Sequence, residues 1–392
     1  MDTLNIALLD LNNQIGGGQI AIYNIAEAIS KKGHNVDIII GKTIPKERIQ
    51  NFSLNNVNLT QIHGYGSTIE LFLHEKVIKK ELEKIIDEKK YDVINAHGLS
   101  GRFLPKKTKN LILTLHGNSQ QRMENLVKYS LNNKYMRKTV SEIPLNFTKD
   151  VLGHKIHSIL EKNLCKRANR IIALTKTEKK YIEQNYQIKD EKISIVPNVI
   201  VNPKSDKKEY TKLSEKKIIL SVGALSLIKG VPLLIEAIKT ILSENNEIMF
   251  ISAGDGVLKY KLVSLQKQYP ENIMIFPYVS DVTSLYQQTS LLIHSSIFEA
   301  HSLAICEAMN ERKPVIANNI ASIPDLVIPG FNGFLCTPGE PGDLAEKTSI
   351  ALNSDDLLKK MGGNAKKFVS EKFDAQKISS MLEKVYKGYS ND

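Results

Sequence analysis

The strongest constraint in this chain is a rhythm. Short, almost continuously apolar runs recur at Leu4–Leu9, Asn35–Ile40, Val57–Ile62, Tyr91–Ala96, Leu111–Leu115, Arg170–Leu174 and Ile193–Val196. Between several of them lie stretches with helical spacing, Gln19–Lys32, Ile69–Lys89 and Val151–Ala168. In the first, Ile22, Ile25, Ala26 and Ile29 share one stripe, and Gly33 stops the helix. A strand that is apolar throughout has to be covered on both faces, and the crossover helices of a parallel sheet supply that cover. Residues 197–216, with Pro197, Pro203 and several lysines, read as a linker. The rhythm then restarts with strands Lys217–Val222, Glu247–Ser252, Ile273–Phe276, Ser290–Ser295 and Lys313–Ala317. Helical stretches alternate with them at Val231–Ser243, Val257–Tyr269 and Ser302–Asn310, and continue at Asp343–Leu352, Asp355–Ser370 and Ala375–Tyr386.

The expected fold is therefore α/β, with two doubly wound domains of similar size. The expected boundaries are 1–197 for the first domain, 198–216 for the linker and 217–372 for the second, with a last helix at 373–392. Ligands of such sheets bind at the carboxyl ends of the strands, and two such edges facing each other would make an interdomain cleft. No sequence repeat of fixed period accompanies the restart.

Composition narrows the class. With 392 residues, 42% of them hydrophobic and 24% charged, the chain can fill two cores and is not a long disordered segment. No run approaches the roughly 18–20 apolar residues that cross a bilayer, and Met1–Leu9, turning polar at Asp10, reads as a first strand and not as a signal peptide. Cys165, Cys306 and Cys336 form no pair motif, and neither Asp-x-Asp nor HExxH occurs. Neither a disulfide framework nor a metal is expected, and a reducing cytoplasm is the simplest home. These features argue against a secreted, membrane-spanning or metal-stapled protein.

The net charge of +11 is unevenly placed. Residues 1–196 hold 31 basic and 20 acidic side chains, the remainder 22 of each, and the excess concentrates in 97–181, with 18 against 5. The first half thus faces something anionic, such as nucleic acid, phospholipid headgroups or an acidic acceptor, or else its lysines decorate solvated helices. The lack of tryptophan and of interleaved aromatic and basic residues disfavours nucleic acid.

Four features could carry chemistry. Gly16-Gly17-Gly18-Gln19 follows a strand and opens a helix, where glycines let backbone amides approach a phosphate; the alternative is a tight turn without ligand. Gly223 ends a strand and Lys229-Gly230 precedes a helix, so Lys229 can reach a diphosphate or simply be a solvated loop lysine. Glu299 stands in the turn after Ser290–Ser295, and Glu307 inside the helix that Ser302 would cap. The turn carboxylate suits sugar hydroxyls, the helix carboxylate suits ribose hydroxyls, and the amides of Ser302 and Leu303 would point at a diphosphate. The alternative is two surface carboxylates without a shared ligand. His97 and His116 each end a buried strand and precede a glycine, at the expected ligand edge.

In order along the chain these residues resemble the GT-B glycosyltransferases of family 4. Gly16–Gln19 resembles the family's GG loop, and Asn95-Ala96-His97-Gly98 and Leu113-Thr114-Leu115-His116-Gly117 its two histidine-bearing strand ends. Val196-Pro197-Asn198 resembles the hinge, Gly223 with Lys229-Gly230 the second phosphate loop, and Ala253-Gly254-Asp255-Gly256 the Gly-Asp-Gly turn. Phe298 to Met309 contains an E-x7-E motif, and Pro314–Ala317 and Asn332–Leu335 follow in place.

The resemblance implies two Rossmann-like domains facing across an interdomain cleft, the first binding the acceptor and the second a nucleoside diphosphate sugar. It implies a hexosyltransferase acting with retention, with no metal and no cofactor, and places the enzyme in cell-surface polysaccharide or glycoconjugate synthesis. Glu307 would hold the ribose and Glu299 the donor sugar. Lys229 with the amides of Gly17, Ser302 and Leu303, beside Gly18 and Gly223, would hold the diphosphate. His116 would lie by the transferring sugar, while Gln19, His97 and His301 would touch sugar or acceptor. A UDP-sugar is favoured over a GDP-sugar, with a glycan or lipid-linked glycan as acceptor. The last helix would pack back on the first domain. With a basic first half, the protein would be cytoplasmic and peripheral at an anionic inner membrane face, with no nucleic acid as partner.

The sequence departs from the family's pattern at Ala224, where arginine is usual, at Ala300-His301, and at Ile320 to Asp325, where a Gly-Gly turn is usual before Pro-Glu. A GT-B epimerase and a non-catalytic nucleotide-sugar-binding relative are the alternatives. A glycoside hydrolase built on Glu299 and Glu307 would leave Lys229 and the glycine loops unexplained.

Overall fold

A computed structural model describes residues 3–13, 16–43, 52, 54–200, 213–277, 279 and 282–388. Met1 and most of the 198–216 linker, Pro203 included, lie outside the described residues. The chain forms two compact units, one of residues 1–120, 152–201 and 373–392, the other of 121–151 and 202–372.

The first unit is built on seven parallel strands, β1 (Asn5–Asp10), β2 (Asn35–Ile40), β3 (Val57–Gln61), β4 (Val93–His97), β5 (Leu111–Thr114), β6 (Arg170–Ala173) and β7 (Ile193–Ile195), in the order β3-β2-β1-β4-β5-β6-β7. Successive residues of β1 point to opposite faces and so feed two cores. Ile6 and Leu8 join Ile22, Tyr23, Ile25 and Ile29 of helix Gly17–Ser30, while Ala7 and Leu9 join Leu71, Ile78, Leu82 and Leu164 on the other side.

The C-terminal helix Ala375–Tyr386 belongs to this unit. Asp374 caps it by accepting from the Lys377 amide. Its stripe Ile378, Leu382, Val385 and Tyr386 enters the core beside Ile6 and Leu8, and the Tyr386 hydroxyl donates to Asn95 Oδ1 at 2.8 Å.

The second unit has six parallel strands, β8 (Lys217–Val222), β9 (Ile248–Ala253), β10 (Ile273–Phe276), β11 (Leu291–His294), β12 (Val315–Asn318) and β13 (Gly333–Cys336), in the order β10-β9-β8-β11-β12-β13. Both sheets reverse their strand order at one place, between β1 and β4 and between β8 and β11. Ligands of open α/β sheets bind at that reversal.

The structure differs from the sequence reading in one boundary, two helices and five added elements. Residues 121–151 group with the second unit instead of the first. They are held there because Asn125 Nδ2 donates to the Ile297 carbonyl, Asn133 Nδ2 to that of Gly339, and Lys261 pairs with Glu142 at 2.7 Å. The helix expected over 69–89 is two, Thr68–Leu73 and Glu75–Lys89, broken at His74, whose Nδ1 donates to the Gly64 carbonyl. The helix expected from Val151 starts at Pro144, a residue suited to a first turn. Strand β13 and helices Ser119–Asn132, Lys134–Glu142, Lys176–Tyr181 and Val282–Gln288 were not anticipated.

Two expectations follow. Tyr386→Phe leaves Asn95 Oδ1 without this donor inside the core and lowers unfolding free energy by about 1–2 kcal/mol in a urea titration; an unchanged midpoint would show that the bond carries no net stability. The second concerns Asp10, 8% exposed at the end of β1. Burial raises its pKa to about 6, with the Asn12 amide opposing that shift. Because the folded value exceeds the unfolded one, Asp10 favours the folded state at low pH, and that contribution is lost as pH rises from about 4 to 6. Asp10→Asn is therefore more stable than wild type by up to about 3 kcal/mol at pH 7.5, and the difference shrinks at pH 4. Equal stability at both pH values would refute the assignment.

Candidate active site

In the second unit the loop after β8 and the turn after β11 are fastened together. The Ile297 amide donates to the Ile228 carbonyl at 3.0 Å, and Ser295 Oγ to that of Lys229 at 2.8 Å. Gly230 lies in the left-handed region, φ +65°, and a Cβ there would fall 2.0 Å from the Ser295 carbonyl oxygen, so only glycine fits. Gly223 is also at positive φ, with the Lys229 side chain crossing over it.

Glu299 sits where these segments meet. Its Oε1 is 2.5 Å from Lys229 Nζ, 2.9 Å from His294 Nε2 and 2.8 Å from Ser296 Oγ. Its side chain is 11% exposed and that of Lys229 31%. Burial opposes ionisation of Glu299, but the Lys229 ammonium and the His294 ring outweigh it and hold the carboxyl well below the usual range. The sequence reading found Glu299 and Lys229 as separate candidates and missed His294, which ends β11 just as His97 ends β4; that strand-end position was the available signal.

Helix Leu303–Asn310 begins next to this turn, capped by Ser302 Oγ, which accepts from the Ile305 amide. Its first-turn amides have no acceptor within the helix, the usual state of a helix N-terminus. Glu307 lies on the second turn, half-buried, where the Tyr286 hydroxyl donates to its Oε2 at 3.1 Å. Burial, with Glu307 beside it, pushes the Tyr286 phenol well above its ordinary pKa, so it remains a donor. His301 is buried, its Nδ1 4.0 Å from Cys306 Sγ, and burial lowers its pKa to about 4. It is a neutral interior side chain. Ala224 is exposed.

In the first unit, Gly17 and Gly18 open their helix without a side-chain cap at Gly16. A Cβ on Gly18 would lie 3.7 Å from the His116 ring, so the ring rests against the helix start. Gln19 turns inward and donates to the Asn12 carbonyl at 2.8 Å. His97 Nδ1 and His116 Nε2 are 2.7 Å apart. The loop beyond His116 is tied down by buried Glu178, which accepts from the amides of Gly117 and Leu174. Thr175 caps the helix carrying Glu178, a Thr-x-x-Glu spacing that was present in the sequence and passed over.

Each unit thus gathers its candidates at its own strand reversal. The second brings together Gly223, Lys229, Glu299, Ser302 and Leu303, with Glu307 further along the helix; the first brings together Gly17, Gly18, His97 and His116. Among the described residues no group of three or more His, Cys, Asp or Glu is arranged to hold a metal, and no helix is long and apolar enough to cross a membrane.

The model of Glycosyltransferase Family 4 matches residues 15–201, and that of Glycosyl transferases group 1 matches 203–368. The chain is 24% identical to an uncharacterized glycosyltransferase of Methanocaldococcus jannaschii, over 95% of this chain and 94% of that one. It is 20% identical to N-acetyl-alpha-D-glucosaminyl L-malate synthase of Bacillus anthracis, again over 95% and 94%. Its fold is similar to that of Anabaena HepE, solved in complex with UDP-glucose, at a TM-score of 0.75, 18% identity, and 98% and 100% coverage. With two all-parallel, doubly wound units and both family models matched in order, this chain belongs to the family 4 glycosyltransferases and is an enzyme of GT-B fold.

Proposed function

We propose that the enzyme transfers a hexosyl group, with retention of configuration, from a nucleoside diphosphate sugar to a hydroxyl of a glycan or lipid-linked glycan in cell-surface polysaccharide synthesis. The observation that carries this reading is the Lys229–Glu299 pair at the β8/β11 reversal, beside the start of helix Leu303–Asn310. An ionised, nearly buried carboxylate accepts hydroxyl donors and suits sugar recognition, while a cation and free amides suit a departing diphosphate.

In this reading Lys229 and the amides of Ser302 and Leu303 take the charge that develops on the leaving group, and no metal is required. Glu307, oriented by Tyr286, accepts from the ribose hydroxyls. In the first unit, His116 and the amides of Gly17 and Gly18 form a polar corner for a sugar hydroxyl and a phosphate oxygen. UDP is the favoured nucleotide, supported by the UDP-glucose complex of HepE.

Calorimetric titration with UDP, GDP and ADP checks the donor assignment. UDP binds, Lys229→Ala abolishes the signal, and Glu307→Ala weakens it by about 10- to 100-fold, the worth of hydrogen bonds to a charged group. Unchanged affinity in Glu307→Ala would overturn its ribose role, and incubation with donor alone separates transfer from epimerisation.

The lipid-linked acceptor implies a protein resting on a cytoplasmic anionic membrane face, and one helix surface supports that placement. In helix Pro144–Arg167 no residue from 144 to 160 is buried. Leu152 (54% exposed), Ile156 and Ile159 line one stripe toward solvent, on a helix with five basic and two acidic residues. Thr68 Oγ1 bonds His157 Nε2 at 3.1 Å, which brings helix Thr68–Leu73, with exposed Ile69, Phe72 and Leu73, alongside. Apolar side chains among lysines suit the headgroup region of an anionic bilayer. Sedimentation with phosphatidylglycerol vesicles at low salt pulls the protein down, high salt releases it, and Leu152→Glu with Ile156→Glu abolishes the effect. Equal binding to phosphatidylcholine vesicles would refute the placement.

A further inference from the structure

We propose that His97 is a positioning residue that holds the His116 imidazole in one orientation and one tautomer. The inference rests on the reading above, in which His116 acts beside the transferring sugar.

The two rings reach each other because of strand register. β4 and β5 are parallel neighbours with His97 opposite Thr114, so His116 emerges one pleat beyond its partner. The ring centroids are 5.0 Å apart and the planes differ by 18°. With 2.7 Å between Nδ1 of His97 and Nε2 of His116, these values describe two nearly coplanar rings joined edge to edge, the alignment an N–H···N hydrogen bond prefers. They do not describe a face-to-face stack.

Such a bond needs one donor and one acceptor, so it fixes a tautomer in each ring. His97 is 2% exposed, and burial together with the neighbouring His116 keeps it neutral. Among the described residues its second nitrogen, Nε2, has no partner. If His116 donated, His97 would carry its proton on Nε2 and bury an unpaired N–H. If His97 donates from Nδ1, only a lone pair is left unpaired, and orphaned donors are the rarer of the two inside proteins. The structure therefore assigns Nδ1–H of His97 as donor to Nε2 of His116, whose own proton then sits on Nδ1.

The support beneath is stiff. Two residues before each histidine, Asn95 Nδ2 donates to Thr114 Oγ1 at 2.8 Å, and Tyr386 donates to Asn95 Oδ1. The Cδ2–Cγ edge of the His116 ring lies beside Gly18. His97 thus ties the Nε2 edge of the His116 ring to a strand that is itself cross-linked to β5.

The test compares wild type with His97→Leu, His97→Asn and His116→Ala. In ring-15N-labelled wild type, His116 shows a single neutral tautomer protonated at Nδ1. His97→Leu gives a tautomer mixture, and His97→Asn, whose amide nitrogen falls near the lost Nδ1, restores the single form. With the nucleotide sugar selected by titration, His97→Leu lowers kcat by ~10²-fold while the donor KM stays within about threefold, and His97→Asn recovers most of the rate. A wild-type spectrum with the His116 proton on Nε2, or a His97→Leu enzyme with unaltered kcat and an inactive His116→Ala, overturns the positioning role. A fully active His116→Ala overturns instead the reading on which it rests. If His97→Leu does not fold, the wild-type and His97→Asn spectra still decide.

Discussion

A parallel strand pair cannot be closed by a tight turn, so each strand returns through a helix and all the carboxyl ends collect on one edge of the sheet. Every other feature of this chain follows from that geometry. The crossover helices bury both faces, which is why β1 sends Ile6 and Leu8 to one core and Ala7 and Leu9 to another. The single reversal of strand order leaves a crevice that no crossover covers, between β1 and β4 in one unit and between β8 and β11 in the other. Asp10, His97 and His116 gather at the first, and Gly223, His294 and Glu299 at the second. These residues stand at the sheet edge where open α/β folds bind their ligands.

At the second crevice, electrostatics and backbone geometry reinforce each other. Lys229 and Glu299 come from loops 70 residues apart, yet the loops share the Ile297–Ile228 backbone bond and the Ser295–Lys229 contact. A carboxylate this enclosed would be costly alone, and removing one member of a buried pair typically costs about 3–5 kcal/mol. Glu299 avoids that penalty by having three donors on one oxygen. Its charge is consequently fixed across the physiological pH range, unlike that of Asp10, whose burial has no cation to offset it. Two acidic residues at equivalent edges thus have opposite titration behaviour for an identifiable reason.

Much of this was legible in the sequence because continuous apolar runs and helical stripes are local signals. Twelve of the thirteen strands among the described residues coincide with runs read from the sequence, and the Ser302 cap and the glycine before helix Val231–Glu244 were visible as single residues. The missing strand, Gly333–Cys336, is four residues long and begins at a glycine whose Cβ would strike the Val315 carbonyl, so its identity depends on a neighbour far away in sequence. Helix Ser119–Asn132 is polar on most faces and packs through side-chain bonds such as Asn125 to Ile297, which leave no periodic trace. Partnerships were the least legible: Tyr286 with Glu307 and Glu178 with Gly117 join separate elements and are set by how those elements pack, which the residues themselves do not encode locally, while His294 with Glu299 depends on the path of the turn after β11.

The helix Ala375–Tyr386 has a consequence for how the protein is made. Its buried residues Ile378, Leu382, Val385 and Tyr386 complete a core that begins at Ile6, and Tyr386 bonds to Asn95 across 291 positions of chain. Domains generally fold as they leave the ribosome, amino-terminal first. Here the amino-terminal unit is still missing a wall when the carboxyl-terminal sheet has been fully synthesised, so the later half can finish first and the earlier half waits for the final helix. A nascent chain halted anywhere before residue 375 would expose the apolar floor under helix Gly17–Ser30, and the twelve residues of helix Ala375–Tyr386 act as the seal on the first sheet translated.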